Sequence, residues 1–316
     1  MSSTRTIAVV GATGAQGGGL ARAILADPEH EFAVRAITRD PGGDKAKALA
    51  AQGAEVVRAD LDDESSLTAA FDGAYGAYLV TNFWEHMSGQ KELTQAGALA
   101  RAASAAGLSH AIWSTLEDTR DHIPVDDTRM PTLQGSYKVP HFDAKAESDA
   151  LFIQAGVPVT FLRTTFYWEN LIYFGLGPQR TPDGDLIIAY PIGASRLAGI
   201  AAEDIGRCAL AIFKGGADFI GKTVSIAGEH LTAAEMAEAL TNAIGEKVTA
   251  VEITPDAFRA LGFPAADEVG NMFQYYHDAE ADFTGARDLA AVRALNPGLQ
   301  DFATWLARHK SEIPVP

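Results

Sequence analysis

Over residues 5 to about 163, short runs rich in β-branched residues alternate with alanine-rich stretches of helical character. Six of these runs have the length and composition of strands: 6–10, 33–38, 55–59, 74–81, 110–114 and 159–163. Each run is nearly all apolar, as expected when helices cover both faces of a sheet. The alternation therefore predicts an α/β fold with a doubly wound parallel sheet, Rossmann-like in topology.

The segment IAVVGATGAQGG contains the strongest local motif. It places Gly11, Gly14 and Gly17 directly after the first predicted strand and at the start of the first predicted helix. Glycines at these points allow a tight turn and a close approach of the backbone to a ligand, and the helix start offers N–H groups to a pyrophosphate. A glycine-rich turn without a ligand is the competing interpretation, but the flanking strand and helix favour a dinucleotide site.

The end of the second predicted strand carries basic residues, because it reads TRDPGGDKAK with Arg39 first and Lys45 and Lys47 after it. A guanidinium group matches a phosphate in a bidentate manner, so Arg39 suits the 2′-phosphate of NADP(H). Asp40 keeps NAD(H) open as the less favoured alternative, since a carboxylate at this point can accept from a ribose 2′-hydroxyl.

Two further strand ends belong to the predicted cofactor site. Asp60 and Leu61 follow the third strand, where they could flank the adenine, although Asp60 could equally cap the next helix. Thr81 and Asn82 end the fourth strand, at the carboxyl edge of the sheet where cofactors lie in doubly wound folds.

After residue 163 the regular alternation breaks down, and short strands near 186–190 and 247–253 are mixed with helices and turns. Thr232 and Glu235 form a T-x-x-E capping box, which predicts the start of an amphipathic helix. We therefore predict an NAD(P)-binding Rossmann-like domain over residues 1–165. A smaller C-terminal α/β lobe, partly interleaved with the first domain, is predicted over residues 166–316.

The charge balance excludes several classes of function. With 25 basic and 41 acidic residues the net charge is −16, which repels a nucleic-acid backbone, so no direct nucleic-acid binding is predicted. No apolar run is long enough for a membrane helix and the first ten residues do not resemble a signal peptide, which predicts a cytoplasmic protein that does not bind membranes. The single cysteine, Cys208, predicts a buried core residue, and no metal site is predicted.

Seven segments of the chain together carry a specific family resemblance: GATGAQGG at 11–18, TRDP at 38–41, GAEVVRADLDD at 53–63, VTNFWE at 80–85, HFDAK at 141–145, FYWENL at 166–171 and LGFPAADEVGNMFQYY at 261–276. On these segments the chain resembles the NmrA-like branch of the atypical short-chain dehydrogenase/reductases, and most of all the NADP(H)-binding redox-sensor proteins of that branch. The resemblance implies that a dinucleotide is surrounded by Gly11, Thr13, Gly14, Ala15, Gln16, Arg39, Thr81, Asn82, Lys145, Tyr167 and Asn170.

The residues expected for hydride transfer are only partly present. Short-chain dehydrogenases use a tyrosine four residues before a lysine, with a serine nearby for the substrate oxygen. Here Lys145 lies on a predicted helix and Ser114 ends the fifth strand, but His141 stands at the tyrosine position. The usual proton donor is therefore missing from its place.

Two interpretations of these residues remain open. In the first, Lys145 only holds ribose hydroxyls, and the cofactor is a ligand that controls association with a protein partner or a second copy, as in a redox sensor or a transcriptional or metabolic regulator. In the second, His141, Tyr137 or Tyr167 supplies the proton for an NAD(P)H-dependent oxidoreductase acting on a small carbonyl, quinone or ene substrate. The missing tyrosine favours the first interpretation. A scaffold that has kept the fold but binds no cofactor is a third hypothesis.

Overall fold

The computed structural model describes residues 4–316; residues 1–3, which the predicted first domain includes, lie outside the described residues. The chain divides into two compact units. The first contains the chain up to Asp118 together with His141–Thr164 and Ala202–Val224, and the second contains Thr119–Pro140, Thr165–Ala201 and Ser225–Pro316.

The strands, in chain order, are β1 (Arg5–Val9), β2 (Phe32–Thr38), β3 (Glu55–Arg58), β4 (Gly76–Leu79), β5 (His110–Thr115), β6 (Val159–Arg163), β7 (Phe166–Tyr167), β8 (Gln179–Arg180), β9 (Leu186–Ile188), β10 (Leu197–Ile200), β11 (Thr223–Ser225), β12 (Glu229–Leu231) and β13 (Val248–Ala250).

The helices are α1 (Ala15–Leu25), α2 (Asp44–Ala51), α3 (Glu64–Phe71), α4 (Gly89–Ala105), α5 (Pro140–Gln154), α6 (Asn170–Tyr173), α7 (Ala202–Gly215), α8 (Ala233–Ile244), α9 (Pro255–Arg259), α10 (Ala266–Asp278), α11 (Glu280–Gly285), α12 (Leu289–Leu295) and α13 (Phe302–His309). Short 3₁₀ turns occupy Phe83–Glu85, Thr119–Asp121 and Gly216–Phe219.

A seven-stranded sheet with the order β11-β6-β5-β4-β1-β2-β3 forms the centre of the first unit. Neighbouring strands among β1 to β6 run parallel. The chain moves outward from β1 through β2 to β3 and then returns to β4 on the other side of β1. The order of strands therefore reverses between β1 and β4, and the carboxyl ends of these two strands flank the crevice at which doubly wound folds bind ligands. The predicted fold class is confirmed.

Helix α7 explains why the first unit extends beyond residue 165. A Cβ atom on Gly206 of α7 would lie 2.1 Å from the backbone nitrogen of Leu20 on α1, so the two helices are in backbone contact at this point. The first unit includes Ala202–Val224, which lies within the range predicted for the partly interleaved second lobe. The small residue Gly206 lets α7 pack directly on α1. On α7, Cys208 is buried, as predicted, and burial raises the pKa of its thiol to about 12.

Two three-stranded sheets, β12-β10-β7 and β13-β9-β8, belong to the second unit together with helices α8 to α13. The predicted capping box is confirmed: Glu235 donates its backbone N–H to Thr232 Oγ1, and Thr232 donates its own to Glu235 Oε2. Among residues 4–316, no helix combines the length and the apolar character that a membrane crossing requires.

Candidate functional site

The loop between β1 and α1 has the conformation that a phosphate loop needs. Gly11 adopts a φ of +63°, which favours glycine, as the chain leaves β1. The N–H of Gly14 donates to the carbonyl of Gly11 over 2.8 Å and closes a tight turn. Gly11, Gly14 and Ala15 are exposed. Because the first N–H groups of a helix have no acceptor within it, an anion can be bound at this exposed helix start.

Gly17 is buried one turn into α1 and brings the helix close to the loop. A Cβ atom at this position would lie 2.6 Å from the carbonyl oxygens of Val10 and of Gly11. A side chain would therefore push the start of α1 away from β1. The close approach, together with the exposed Gly14, forms a cradle of main-chain atoms that suits a pyrophosphate group.

Arg39, directly after β2, is held by a carboxylate that the sequence does not indicate. Its Nη1 donates to Glu85 Oε2 over 3.0 Å and its Nη2 donates to Glu85 Oε1 over 2.7 Å. The adjacent Asp40 accepts from the N–H of Gly42 over 3.0 Å and so stabilises the turn that leads into α2. Lys45 is exposed in the first turn of α2.

Asp60 and Leu61 lie at the end of β3, as predicted, but Asp60 does not cap α3. The cap is Asp63, whose carboxylate accepts from the N–H of Ser66. Asp60 Oδ1 instead accepts from the N–H of Asp62 over 3.1 Å. The capping alternative for Asp60 is therefore wrong, because a turn closed by the Asp63 N–H and the Asp60 carbonyl places the cap of α3 three residues later, at Asp63. Leu61 is half-buried against the core of the first unit.

Lys145 and Thr81 are brought together, with Glu92 of α4 as a third partner. Lys145 Nζ donates to Thr81 Oγ1 over 2.7 Å and forms an ion pair with Glu92 Oε1 at 2.8 Å. Thr81 Oγ1 in turn donates to Glu92 Oε1 over 2.7 Å. The Glu92 side chain is fully buried. A buried charge requires a partner, so the ammonium and the carboxylate compensate each other at the carboxyl edge of the sheet.

The second oxygen of Glu92 lies near His86. Glu92 Oε2 and His86 Nε2 are 3.5 Å apart, and both atoms are buried without a hydrogen bond. His86 Nδ1 accepts from the N–H of Ser88 over 3.2 Å, which assigns the proton of the neutral ring to Nε2, the atom that faces the carboxylate.

Ser114 and Gln16 are joined at the same edge of the sheet. Ser114 Oγ donates to Gln16 Oε1 over 2.7 Å, and the Tyr78 hydroxyl donates to the same oxygen. Gln16 therefore links the start of α1 to the ends of β4 and β5. Tyr78 is a further hydroxyl group of the site that the sequence does not single out, because it lies within the apolar run of β4.

His141 lies one helical turn before Lys145 on α5, within a group of aromatic rings. Its ring centroid is 4.9 Å from that of Trp84, 4.8 Å from that of Phe142 and 5.8 Å from that of Phe83. The imidazole is buried. Three aromatic rings therefore surround the imidazole at the position where a short-chain dehydrogenase has its tyrosine.

The remaining predicted residues divide between the two units. Thr13 is half-buried in the loop before α1, and Asn82 is exposed directly after β4. Tyr137, Tyr167 and Asn170 belong to the second unit, in which Tyr167 ends β7 and Asn170 begins α6. Their roles in cofactor binding or proton supply stay predictions. Within residues 4–316, no group of three or more His, Cys, Asp and Glu side chains is arranged to hold a metal ion.

Asp149, two turns beyond His141 on α5, gives a testable pH dependence. It accepts from Trp113 Nε1 over 2.9 Å, and burial raises the pKa of its carboxyl group to about 6. The folded chain therefore holds this proton more tightly than the unfolded chain does, and the contribution of Asp149 to stability is lost as the pH rises from about 4 to about 6. We expect the free energy of unfolding of Asp149→Asn, measured with urea, to increase relative to that of the wild type as the pH is raised from 5 to 7.5.

The matched control is Asp63→Asn. Hydrogen bonds from Ser65 and Ser66 lower the pKa of the Asp63 carboxyl group, so its contribution to stability is lost only as the pH falls below about 4, and Asp63→Asn should show no trend between pH 5 and pH 7.5. A parallel trend for the two variants would contradict the assignment of Asp149 as the residue with the raised pKa.

Comparison with known proteins gives a consistent result over nearly the whole chain. The model of the NmrA-like family matches residues 3–306. The NmrA-like family domain-containing oxidoreductase FrzB of Cladobotryum sp is 28% identical over 290 residues, which cover 86% of this chain and 84% of that protein. The oxidoreductase hkm9 of Aspergillus hancockii, with the same description, is 27% identical over 286 residues, which cover 86% and 82%.

Solved structures share the fold. The crystal structure of NmrA, a negative transcriptional regulator, in complex with NADP has a TM-score of 0.78 and 25% identity, and the match covers 96% of this chain and 94% of that one. A complex of the same regulator with NAD matches equally well. The triphenylmethane reductase of Citrobacter sp., complexed with NADP(H), has a TM-score of 0.75 at 21% identity, which shows the shared fold.

Proposed function

The chain belongs to the NmrA-like family, and from that premise we propose that it binds NADP(H) at the crevice between β1 and β4 and acts as a cofactor-dependent regulator. The observation that carries the proposal is the glycine loop: Gly11 in its left-handed conformation, the exposed Gly14 and the buried Gly17 at the start of α1. In this proposal the loop binds the pyrophosphate with main-chain N–H groups and needs no basic side chain.

The remaining parts of the dinucleotide are assigned to side chains at the ends of the strands. Arg39, aided by Lys45, would bind the 2′-phosphate, and the turn formed by Asp60 and Leu61 would flank the adenine. The nicotinamide ribose would be held by Thr81 and Asn82, after β4, and by Lys145 of α5. Tyr167 and Asn170 stay predicted cofactor residues, on the strength of the family resemblance. When bound, the nicotinamide would supply a hydride if the protein is an enzyme. If the protein is a regulator, the nicotinamide would act as a ligand whose oxidation state differs between NADP and NADPH.

The choice of NADP(H) over NAD(H) is supported by the region after β2. Arg39 offers a guanidinium group at the position where a 2′-phosphate is expected, and Asp40 already accepts from the backbone of its own turn. A carboxylate used in this way is less available to a ribose hydroxyl. The solved regulator of the family binds both NADP and NAD, so the preference is a property of these side chains and not of the fold.

A regulatory role is favoured over catalysis because the polar side chains at the expected catalytic positions are bound to other side chains of the protein. Lys145 is ion-paired with Glu92, Ser114 donates to Gln16, and the position four residues before Lys145 holds a histidine within aromatic rings. The lysine and serine of a short-chain dehydrogenase are thus present but bound to other side chains, and the tyrosine is replaced by His141. The solved NmrA is described as a negative transcriptional regulator, which agrees with this proposal.

An NAD(P)H-dependent oxidoreductase is the second candidate, and the names of the curated relatives favour it. In that case His141, Tyr137 or Tyr167 is the candidate proton donor, and the Tyr78 hydroxyl is a further one because it shares Gln16 Oε1 with Ser114. The two proposals differ in turnover. NADPH that binds but is not oxidised in the presence of quinones, ketones and aldehydes supports the regulator, whereas sustained oxidation with any of them supports the enzyme.

The first test of the cofactor is titration of the purified chain with NADPH and with NADH. Binding of either should change the fluorescence of the four tryptophans and raise the unfolding temperature by mass action. We expect Arg39→Ala to weaken NADPH binding by about 30-fold, the equivalent of about 2 kcal/mol for a lost charge-assisted contact, and to change NADH binding by less than about two-fold.

Arg101→Ala is the control, because Arg101 is similarly exposed and also bound to a single glutamate, Glu64. It removes the same charge from a different surface of the first unit. Equal losses of NADPH and NADH affinity in Arg39→Ala would mean that Arg39 does not recognise the 2′-phosphate.

A further inference from the structure

We propose that Glu85 is a specificity-determining residue, which competes with the 2′-phosphate of NADP(H) for Arg39 and so reduces the preference for NADP(H) over NAD(H). This inference rests on the proposed binding of a dinucleotide in the crevice between β1 and β4. It starts from the two hydrogen bonds, of 3.0 Å and 2.7 Å, that join the guanidinium of Arg39 to the carboxylate of Glu85.

The two hydrogen bonds use the edge of the guanidinium that a phosphate can also use. Glu85 occupies both terminal nitrogens, Nη1 and Nη2, in the parallel arrangement that arginine forms with carboxylates and phosphates alike. A 2′-phosphate must therefore either displace Glu85 from this edge or bind beside it, at the Nε side. In the first case an existing ion pair is lost, and in the second a carboxylate lies close to a phosphate of about −2 charge.

NAD(H) avoids both costs. Its 2′-hydroxyl is neutral, so it neither needs the occupied edge of Arg39 nor repels the carboxylate of Glu85. The same residue therefore weakens the binding of one cofactor and leaves the other unaffected, which is how a repulsive element changes specificity.

The position of Glu85 is fixed by the turn that carries it. Glu85 ends the 3₁₀ turn Phe83–Glu85, and its N–H donates to the carbonyl of Asn82 over 3.2 Å. Phe83 is buried and anchors the turn at the end of β4. The carboxylate is thus presented from a fixed backbone, and its side chain is 45% exposed, against 62% for Arg39. An ion pair this exposed contributes little, so a phosphate can displace it.

The test is Glu85→Gln, which keeps the length of the side chain and removes its charge. We expect the dissociation constant for NADPH to fall by about three- to ten-fold and that for NADH to change by less than about two-fold, measured by calorimetric titration at one fixed ionic strength. Glu64→Gln is the matched control, because the Arg101–Glu64 pair has nearly the same exposure, 59% and 44%. It should leave both constants unchanged.

The double variant Arg39→Ala/Glu85→Gln separates competition for Arg39 from a general charge effect. If Glu85 acts through Arg39, the gain from Glu85→Gln shrinks when Arg39 is absent, whereas an equal gain in both backgrounds overturns the inference. It is also overturned if Glu85→Gln leaves NADPH affinity unchanged or strengthens NADH equally. Any of these three results leaves the proposed function standing, because the binding of NADPH to the wild type tests that function separately. A wild-type chain that binds neither dinucleotide overturns both.

Discussion

Replacing Gly14 with valine is expected to abolish dinucleotide binding while leaving the chain folded. Gly14 is exposed, and its backbone is extended with φ −92°, a conformation open to any residue. An added Cβ would lie 3.2 Å from the carbonyl oxygen of Gly11, which requires a small shift of this exposed loop. The valine side chain would nevertheless stand at the start of α1, where the pyrophosphate approaches the main-chain N–H groups. Losing two hydrogen bonds to a charged group costs about 3 kcal/mol or more, so we expect NADPH affinity to fall by at least about 100-fold in calorimetric titration.

Two other glycine variants control this experiment. Gly285→Val, at the end of α11, adds a side chain where no atom lies within 4 Å of the new Cβ, and it should bind NADPH as the wild type does. Gly17→Val places its Cβ 2.6 Å from two backbone oxygens and should lose both affinity and thermal stability. Wild-type affinity in Gly14→Val would mean that the phosphates do not lie on this loop.

The sequence predicts the sheet of the first unit well because its signals are local. The runs that become β1 to β6 are continuous and apolar, and the glycine loop lies between a strand and a helix. Local patterns do not say which layer a helix packs against. Helix α7 reads as an ordinary amphipathic helix of the second half, and only the backbone contact at Gly206 shows that it completes the first unit. Strand β11 has three residues and no distinctive run of apolar side chains.

In the candidate site, the sequence indicates cations more readily than the acids that pair with them. Arg39 is predicted from its place after the second strand, Lys145 from its place on a helix, and Thr81 from the end of the fourth strand. Nothing local in the sequence shows that Glu85 and Glu92 meet cations far away in the chain. Their roles follow only from the tertiary contacts, and these contacts determine how available both cations are to a ligand.

Replacing Lys145 with methionine is expected to produce the largest loss of stability among the variants considered. Glu92 is fully buried, and in the variant its carboxylate keeps the hydrogen bond from Thr81 and the neighbouring His86, whose Nε2 lies 3.5 Å from Glu92 Oε2. Breaking a buried ion pair from one side costs about 3–5 kcal/mol, because the remaining charge is uncompensated. The loss is measured as the change in the free energy of unfolding in urea.

The double variant Lys145→Met/Glu92→Gln tests whether the lost stability belongs to this pair. A neutral glutamine still accepts from Thr81, so the double variant should recover most of the stability. Lys91→Met, which breaks the exposed pair with Asp62, should cost less than about 1 kcal/mol. Additive losses in the double variant would contradict a buried ion pair. Because the recovered double variant is folded, its NADPH affinity then reports what Lys145 contributes to ribose binding, separately from what it contributes to the fold.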